Sequence, residues 1–381
     1  MKITGIICEY NPLHLGHRKQ LDWARQQHAD TGIVCLMSGN YVQRGAPAVF
    51  DKTLRAKAAV LSGADLVLEM PISGSLSSAE GFAATGVSIL SPFCDNLCFG
   101  AENADKDALM ALAQALLSPD FIPALRQELD KGLSFPAARQ KALETMGLDA
   151  SALSLPNNIL AVEYCKAILT QNSSMAPMPI FRAGSYHDTL ADSENPSATA
   201  LRQLMERGEG WDSFVPEAAK DCFSHAAIHT RAAGERAMLA HLRTMADAEF
   251  ESLPYGSEGL WRKLMRASRE QATLEDILTA VKSKRYTRTR LDRMVLCAFL
   301  GITEEMLSAP VPYVRVLAFN DRGREILNLA RKTGTFLNAG QITDDPYQRL
   351  ENRWGDLYGL FTADGIDPPG LEQDRRVFYD R

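Results

Sequence analysis

Short apolar runs alternate with helical patterns near the start of the chain, and this alternation constrains the fold more than any other feature of the sequence. Four apolar runs have the length of strands, and they occupy residues 3–9, 32–37, 64–69 and 95–100. Helical apolar spacing occupies residues 16–28 and 51–62. Strands that alternate with helices and are buried on both faces are typical of α/β proteins. The pattern therefore predicts a doubly wound parallel sheet.

The rest of the chain is mainly helical by its apolar spacing. The further elements that we predict are helices at residues 108–117, 135–146 and 161–169 and strands at residues 177–182 and 313–319. From Trp211 onward, helical spacing dominates. We therefore predict a Rossmann-like domain over residues 1–210 and a mainly helical region over residues 211–381.

The composition is that of an ordinary globular protein, with 46% hydrophobic and 23% charged residues. The formal net charge of -6 argues against a surface that binds nucleic acid everywhere, but it permits a local basic patch. No apolar run approaches the roughly 20 residues that span a bilayer, and the first residues lack a signal-peptide pattern. We expect a cytoplasmic protein that does not contact a membrane.

The seven cysteines are scattered, and most lie in apolar runs. Cys94 and Cys98 form a close-spaced pair, but no second pair follows to complete a zinc site. We therefore expect reduced, buried cysteines and predict no metal site in the protein.

The segment His14-Leu15-Gly16-His17 follows the first strand and opens a helix. Ligands of α/β sheets lie beyond the carboxyl ends of the strands. There Gly16 permits close approach of a phosphate, the helix N-terminus attracts it, and both imidazoles can donate hydrogen bonds to it. The alternative is that the histidines only cap the helix or lie exposed. The context favours nucleotidyl transfer, with His14 and His17 stabilising charge at an α-phosphate.

A second segment, 197–202, follows Pro196 and leads into a helical stretch. Ser197 and Thr199 can cap that helix, while Arg202 faces whatever binds there. An ordinary helix cap explains this segment equally well by itself. Taken with the two histidines, it favours a second phosphate clamp.

Three more segments follow predicted strands or precede a helix. Ser38-Gly39 and Gln43-Arg44 supply a flexible backbone and a planar cation, which suit a small carboxylate or an adenylate; a solvated Arg44 is the alternative. Gly100 would let adenine or ribose approach closely, unless it only forms a turn. Asn157-Asn158 can bind nucleotide or cap the next helix, and the sequence does not decide between the two.

A basic segment covers residues 282–293 in a chain that is acidic overall. Local positive charge with an interleaved tyrosine suits contacts to phosphates and to unpaired bases of RNA. The alternative is a solvated basic helix face. The candidate RNA-binding residues are Lys282, Lys284, Arg285, Arg288, Arg290 and Arg293.

With these motifs in place, the sequence resembles the HIGH-motif nucleotidyltransferase superfamily. Within it, the chain is similar to the bacterial tRNA(Met) cytidine acetate ligase family over most of its length. Besides the two histidines, Ser197 to Arg202 and the basic segment, the resemblance is carried by residues 9–12, 37–45, 99–103, 156–160 and 182–188.

The resemblance implies that ATP and acetate form acetyl-adenylate with release of pyrophosphate. The acetyl group then passes to N4 of the wobble cytidine of elongator tRNA(Met), and Mg²⁺ is expected to accompany ATP. His14, His17 and Arg202 would act on the phosphates, with Ser197 and Thr199 beside them. The ATP contacts implied by the resemblance are Ile7, Cys8, Glu9, Tyr10, Asn11, Pro12, Leu13, Gly16, Gln20, Gly100, Asn157, Asn158 and Arg182.

Two other functions remain open at this point. A cofactor adenylyltransferase would use the same histidines, although such enzymes are usually shorter and lack a long helical extension with a basic stripe. A non-catalytic RNA-binding protein would bind tRNA without ATP, although the retention of His14, Gly16, His17 and Arg202 argues against a decayed site.

Overall fold

The computed structural model describes residues 1–182, 196–283 and 285–381. Lys284 of the basic segment and residues 183–188 of the segments that carry the resemblance lie outside these ranges. Within them, eight strands form one sheet in the order β10-β8-β5-β2-β1-β6-β7, and β9 pairs with β8. These strands are β1 Lys2–Cys8, β2 Thr31–Ser38, β5 Leu66–Met70, β6 Asn96–Ala101, β7 Ala176–Phe181, β8 Val314–Asn320, β9 Phe336–Asn338 and β10 Phe378–Asp380, and a separate hairpin pairs β3 Tyr41–Val42 with β4 Ala46–Pro47.

The helices surround the sheet and build most of the second half of the chain. Before residue 182 they are α1 Leu15–Gln26, α2 Lys52–Leu61, α3 Ile72–Ser75, α4 Ala79–Leu90, α5 Lys106–Leu117, α6 Phe121–Asp130, α7 Phe135–Thr145 and α8 Pro156–Thr170. After residue 196 they are α9 Ala198–Glu206, α10 Glu217–Phe223, α11 Arg231–Thr244, α12 Asp247–Glu251, α13 Leu260–Glu270, α14 Leu274–Val281, α15 Arg288–Leu300, α16 Glu304–Ser308, α17 Asp321–Ala330, α18 Pro346–Tyr358 and α19 Leu371–Asp374. Short 3₁₀ turns occupy Ser151–Ser154, Asp212–Phe214 and Gly359–Phe361.

The sheet is buried on both faces, as the continuous apolar runs predict. All eight residues of β2 are buried, and successive side chains enter different cores. Val34 and Leu36 pack in the core that includes residues of α4, α5 and α8, whereas Ile33 and Cys35 pack in the core that includes residues of α1 and α2. The predicted doubly wound α/β architecture is therefore confirmed.

The strand order reverses at β1. The chain adds β2 and then β5 on one side of β1, and it later adds β6 and β7 on the other side, all in parallel. The loops that leave β1 and β6 thus diverge and open a crevice at the carboxyl edge of the sheet. This crevice receives the segment 9–17 and Gly100, which the sequence singles out.

The second half of the chain contributes to two cores. Helices α11, α13, α14 and α15 enclose a separate helical core around Leu242, Leu264, Leu278 and Met294. However, β8 returns to the first sheet and pairs antiparallel with β5, and β9 and β10 pair with β8. The sequence predicts β8 but not its position, and it does not predict the three-residue strands β9 and β10. We keep the division near residue 210 as a proposal, although the part of the chain after it supplies the strands β8, β9 and β10 of the sheet.

All seven cysteines are free thiols in this structure, and all but Cys222 are buried. No single helix of the described ranges is both long and apolar enough to cross a membrane. Only α5 and α6 taken together, which meet at a bend of 80°, satisfy that test of length and composition.

We predict that Gly323→Ala destabilises the protein. A methyl group at Gly323, in the first turn of α17, would overlap the carbonyl group of Asp65, which precedes β5. Overpacking of this kind costs about 1–3 kcal/mol of unfolding free energy, which exceeds the gain of about 1 kcal/mol in helix propensity. Denaturant unfolding measures the change. Gly210→Ala is the matched control because its nearest neighbour would be 3.8 Å away, and an equal effect of both substitutions would contradict the prediction.

Candidate active site

The helix α1 begins at the crevice with His14 as its N-cap. His14 Nδ1 accepts a hydrogen bond from the Gly16 backbone amide at 3.1 Å, and His17 Nδ1 accepts from the His14 backbone amide at 3.3 Å. The two imidazole rings stack with centroids 3.7 Å apart. A Cβ atom on Gly16 would lie 3.0 Å from the His14 ring, so the glycine keeps room for this arrangement. The histidines therefore do cap the helix, but the cap uses only Nδ1 of each ring.

The hydrogen bonds at Nδ1 determine the tautomer of both rings. Because Nδ1 accepts, the proton of each neutral ring lies on Nε2. Burial, followed by the charges of Arg182 and Arg202, lowers the pKa of His14 from 6.5 to about 3. Burial, followed by the charges of His14 and Arg182, holds the pKa of His17 well below its usual value. Both histidines are thus neutral N–H donors at neutral pH.

His14 carries an unsatisfied polar atom. The residue is 1% exposed, and its Nε2 has no hydrogen-bond partner in the described part of the chain. An orphaned buried donor costs free energy and is uncommon in native proteins. An incoming oxygen acceptor, such as that of a phosphate, would satisfy it.

Two arginines approach the histidines from different elements. Arg182 directly follows β7, and its side chain lies against Gly100 of β6, where a Cβ atom would be 3.4 Å from Arg182 Cδ. Arg202, on α9, donates to the Asn11 carbonyl at 2.6 Å and to Thr199 Oγ1 at 3.1 Å. The crevice therefore combines guanidinium charge with neutral donors, which suits a polyphosphate.

Ser197 caps α9 by accepting a hydrogen bond from the Ala200 amide at 3.0 Å. Thr199 instead supports Arg202 through the contact just described. Both hydroxyl groups thus have structural partners, and direct contact of either with a phosphate stays a prediction.

The loop from Glu9 to Leu13 turns its side chains away from the crevice at several positions. Tyr10 and Leu13 are almost fully buried, and the Tyr10 hydroxyl lies 3.3 Å from Cys35 Sγ. Asn11 Oδ1 accepts from the Val49 amide at 2.7 Å. Gln20 Nε2 lies 3.7 Å from Cys98 Sγ. Ile7 and Cys8 are buried as well, and contacts of these four residues with a nucleotide stay predictions.

A buried arginine that the sequence analysis missed fixes this loop. Arg55 of α2 donates through Nε to the Phe50 carbonyl at 2.8 Å and through Nη1 to the Glu9 and Ser38 carbonyls at 2.6 and 3.1 Å. It also donates to the Gly39 carbonyl. Its position in an amphipathic helix gave no signal, because charged residues of such helices usually face solvent.

Glu102, which lies beyond β6, caps the first turn of α8, in which Asn157 and Asn158 lie. Glu102 Oε1 accepts from Asn157 Nδ2 at 2.7 Å, and Glu102 Oε2 accepts from the Asn158 amide at 2.8 Å. Asn158 Oδ1 accepts from the Asn103 amide at 3.0 Å, while its buried Nδ2 has no partner among the described residues. Asn157 therefore does not cap α8 with its own side chain, which donates to Glu102 instead, and a contact of Asn157 with a nucleotide stays a prediction. Asn158 keeps one donor for a ligand.

The segment 38–45 leads from β2 to the helical region. Gln43 donates its backbone amide to Glu9 Oε1 at 2.7 Å. The segment is therefore joined to the loop from Glu9 to Leu13, which we call the nucleotide loop. Ser38 is fully buried, and its hydroxyl has no partner in the described ranges. Gly39 packs against Glu69, and Arg44 is half-buried. A pocket for acetate or adenylate along this segment stays a prediction.

The described residues of the basic segment fall into two groups. Lys282 and Arg285 are exposed, although Arg285 contacts Glu258 at 2.5 Å. Arg288 forms ion pairs with Glu275 at 2.6 Å and Asp292 at 3.0 Å. Arg290 donates to the Tyr255 carbonyl at 2.8 Å, and Arg293 donates to the Gln43 carbonyl at 3.2 Å. Three of the arginines thus hold the helical region together, which the sequence does not reveal.

Across the described ranges, no group of three or more His, Cys, Asp or Glu side chains is placed to hold a metal ion. The donors that converge at the crevice are imidazole N–H groups and guanidinium groups, which do not bind Mg²⁺. The side chains of the crevice therefore do not fit as magnesium ligands.

The low pKa of the histidines predicts a dependence of stability on pH. Below pH 6.5 the unfolded chain protonates His14, whereas the folded chain does so only near pH 3, so acid favours unfolding in this window. The free energy of unfolding then falls by up to about 1.4 kcal/mol per pH unit for this group. We expect His14→Asn, which can still cap the helix, to have a shallower slope in denaturant unfolding between pH 6.5 and 4.

His28→Asn is the control for that measurement, because His28 is exposed and lies beyond the end of the same helix. The native slope should persist in this variant. A slope that His14→Asn leaves unchanged would contradict the assignment of a neutral, buried His14.

Comparison with known proteins identifies the family. The model of the HIGH Nucleotidyl Transferase family matches residues 1–363. A tRNA(Met) cytidine acetate ligase of Clostridium tetani (strain Massachusetts / E88) is 38% identical over 356 residues, covering 87% of this chain and 88% of that protein. One of Clostridium perfringens (strain SM101 / Type A) is 36% identical over 388 aligned residues, covering 94% and 95%.

Solved structures show the same likeness over the whole chain. Thermotoga maritima TmcAL bound with alpha-thio ATP has a TM-score of 0.88 and 28% identity, and the match covers 100% of both chains. The apo form of that protein gives a TM-score of 0.90. The shared HIGH motif, the fold and these identities establish that the chain belongs to the HIGH nucleotidyl transferase family and, within it, to the tRNA(Met) cytidine acetate ligases.

Proposed function

We propose that this chain activates acetate with ATP and transfers the acetyl group to N4 of the wobble cytidine of elongator tRNA(Met). The observation that carries the proposal is the convergence of His14, His17, Arg182 and Arg202 at the N-terminus of α1. Two neutral donors and two fixed cations suit a triphosphate better than any other common metabolite group. The names of the relatives support the choice of acetate and tRNA(Met) as substrates.

In the first step, an acetate oxygen attacks the α-phosphorus of ATP, and the bond to the β-phosphate oxygen breaks to release pyrophosphate. Negative charge grows on the phosphate oxygens as this happens. The Nε2–H groups of His14 and His17 donate to these oxygens, and Arg182 and Arg202 offset the charge. Positioning and charge stabilisation suffice for such a reaction, so no covalent nucleophile is required. The ATP analogue bound in the Thermotoga maritima structure supports a nucleotide site in this fold.

In the second step, the cytidine N4 attacks the acetyl carbonyl carbon of the adenylate. A C–N bond forms, the C–O bond to the phosphate breaks, AMP leaves, and N4 loses one proton. The segment 38–45, which joins the nucleotide loop to the helical region, is where we place acetate and the mixed anhydride. Its residues Ser38, Gly39, Gln43 and Arg44 would form the wall of that pocket.

Mg²⁺ would accompany ATP by binding its phosphate oxygens and would offset their charge. Because the side chains of the crevice do not fit as its ligands, we assign none of them to the metal. We place the reaction in the cytoplasm, where both ATP and tRNA are available.

We expect His17→Asn to lower acetate-dependent pyrophosphate release without tRNA by at least about 100-fold, the usual loss when one donor to a developing charge is removed. A coupled pyrophosphate assay across formate, acetate, propionate and butyrate measures this. In the native chain, acetate should give the highest rate, and His28→Asn should match the native chain. The proposal would be contradicted by equal rates of pyrophosphate release with and without a carboxylate, or by full activity of His17→Asn.

The exposed part of the basic segment should carry the contact with tRNA. Lys282→Glu combined with Arg285→Glu should weaken tRNA binding by about 10-fold or more and lower its dependence on salt, because two phosphate contacts are lost. Filter binding at several salt concentrations measures both effects.

Arg331→Glu combined with Lys332→Glu is the matched control, since it reverses two exposed charges between α17 and β9. It should leave tRNA binding near the native value. Acetate activation without tRNA should be unchanged in both double variants. If the two double variants weaken tRNA binding equally, the assignment of the basic segment is wrong.

A further inference from the structure

A cavity opens at the carboxyl edge of β2 and β5, next to the nucleotide loop. The cavity is partly open to solvent. Gly39 lines it after β2, and Met70 lines it at the end of β5. Because β8 runs antiparallel to β5, its first residues lie at this edge as well, and Arg315 forms part of the wall. Helix α18 supplies four further lining residues, and α2, α3 and α19 also contribute.

Aromatic side chains form much of the lining. Tyr313 and Tyr347 lie with ring centroids 5.6 Å apart, and Tyr347 and Trp354 lie 5.8 Å apart, both pairs nearly perpendicular. Tyr41 closes the cavity near Gly39. Flipped or unpaired bases are bound by proteins in snug pockets with aromatic walls. The lining therefore suits a planar heterocycle.

The charges around the cavity exclude small anions. Three carboxylates line it, those of Glu69, Glu351 and Glu372, against the two cations Lys52 and Arg315. Lys52 Nζ is already paired with Glu69 at 2.8 Å and with Glu372 at 2.9 Å. An acetate or a phosphate would meet an excess of negative charge there, whereas a neutral ring with an amino group would not. The cavity is therefore distinct in chemistry from the phosphate crevice.

Two hydrogen-bonding groups of opposite kind remain for a ligand. Glu351 Oε2 accepts from the Tyr313 hydroxyl at 2.7 Å and from Arg315 Nη2 at 2.9 Å, while no hydrogen bond within the described ranges reaches Oε1. Tyr347 lines the cavity, and no hydrogen bond among the described residues involves its hydroxyl group, so its proton is available for donation to a ligand. The cavity thus offers an acceptor and a donor.

The pairing edge of cytosine matches this pair of groups. It presents the N4 amino group as a donor next to ring acceptors, and a glutamate is a natural acceptor for N4. We propose that this cavity binds the target cytosine, with Glu351 accepting from N4 and Tyr347 donating to the acceptor edge of the ring. Uracil would turn its O4 oxygen toward the carboxylates and be rejected. The inference rests on the proposed function, since it assigns the base-binding part of that site.

The cavity also lies next to the nucleotide loop, and transfer of the acetyl group requires the base to be near that loop. Arg55 binds the Glu9 carbonyl of the nucleotide loop and the Gly39 carbonyl of the cavity wall. One buried side chain therefore contacts both the nucleotide loop and the cavity wall, so the two sites are neighbours.

The test compares two synthetic anticodon stem–loop RNAs that differ only in cytidine or uridine at the target position. The native chain should bind the cytidine RNA more tightly. Glu351→Gln, whose amide can donate to O4, should reduce this preference by roughly 10- to 100-fold, the effect of one hydrogen bond to a charged group. Glu163→Gln is the control, because Glu163 is also buried and paired with Arg139 at 3.0 Å but lies on α8. It should keep the native preference.

A second variant avoids the ion pairs altogether. Ile72→Phe enlarges a half-buried residue of the lining and should lower acetyl transfer to tRNA at least about 10-fold, while acetate-dependent pyrophosphate release without tRNA stays within about 2-fold. The inference would be overturned if Glu351→Gln kept the native preference for the cytidine RNA and Ile72→Phe kept the native rate of acetyl transfer to tRNA. A native chain that releases no pyrophosphate with acetate would instead refute the proposed function, so the two failures are distinguishable.

Discussion

The geometry of the candidate site depends on one buried guanidinium. Arg55 is fully buried, and its hydrogen bonds all go to backbone carbonyl groups, those of Glu9, Ser38, Gly39 and Phe50. A buried cation is tolerated only when its donors are satisfied, so these four carbonyls must be held in place around it. They come from the loops that leave β1 and β2 and from the start of α2. Arg55 therefore fixes both the nucleotide loop and the wall of the neighbouring cavity.

Around this fixed point, the protein separates two kinds of polar environment along one edge of the sheet. Beyond β1 and β6, burial and the charges of two arginines lower the pKa of His14 and leave neutral N–H donors in a cationic crevice. Beyond β2 and β5, carboxylates and cations line the cavity together, and burial, together with the charge of Glu372, raises the pKa of Glu69. We propose the first environment for a triphosphate and the second for an amino-bearing ring, so that one sheet edge would hold two chemically different substrates side by side.

The sequence predicted the site best where chemistry and local structure coincide. The strand, His14-Leu15-Gly16-His17 and the following helix are contiguous, so their relation is set by a few residues of backbone. It was least informative where partners are distant in the chain. Glu102 caps α8 and accepts from the Asn157 side chain from 55 positions away, and Glu275 engages Arg288 of the basic segment from 13 positions away. No local pattern contains that information, because it depends on which helices pack together.

The sequence by itself determined the doubly wound sheet, the phosphate-handling motif at the end of β1 and the family to which these belong. Apolar periodicity and a helix N-terminus are local properties, so both can be recognised in the linear order of residues. Only the tertiary structure decided that β8 returns to the sheet beside β5, that Arg55 joins two loops, and that Tyr347 and Glu351 face the same cavity. These relations arise from packing between segments up to about 300 residues apart, and the buried hydrogen bonds that fix them exist only once the chain has folded.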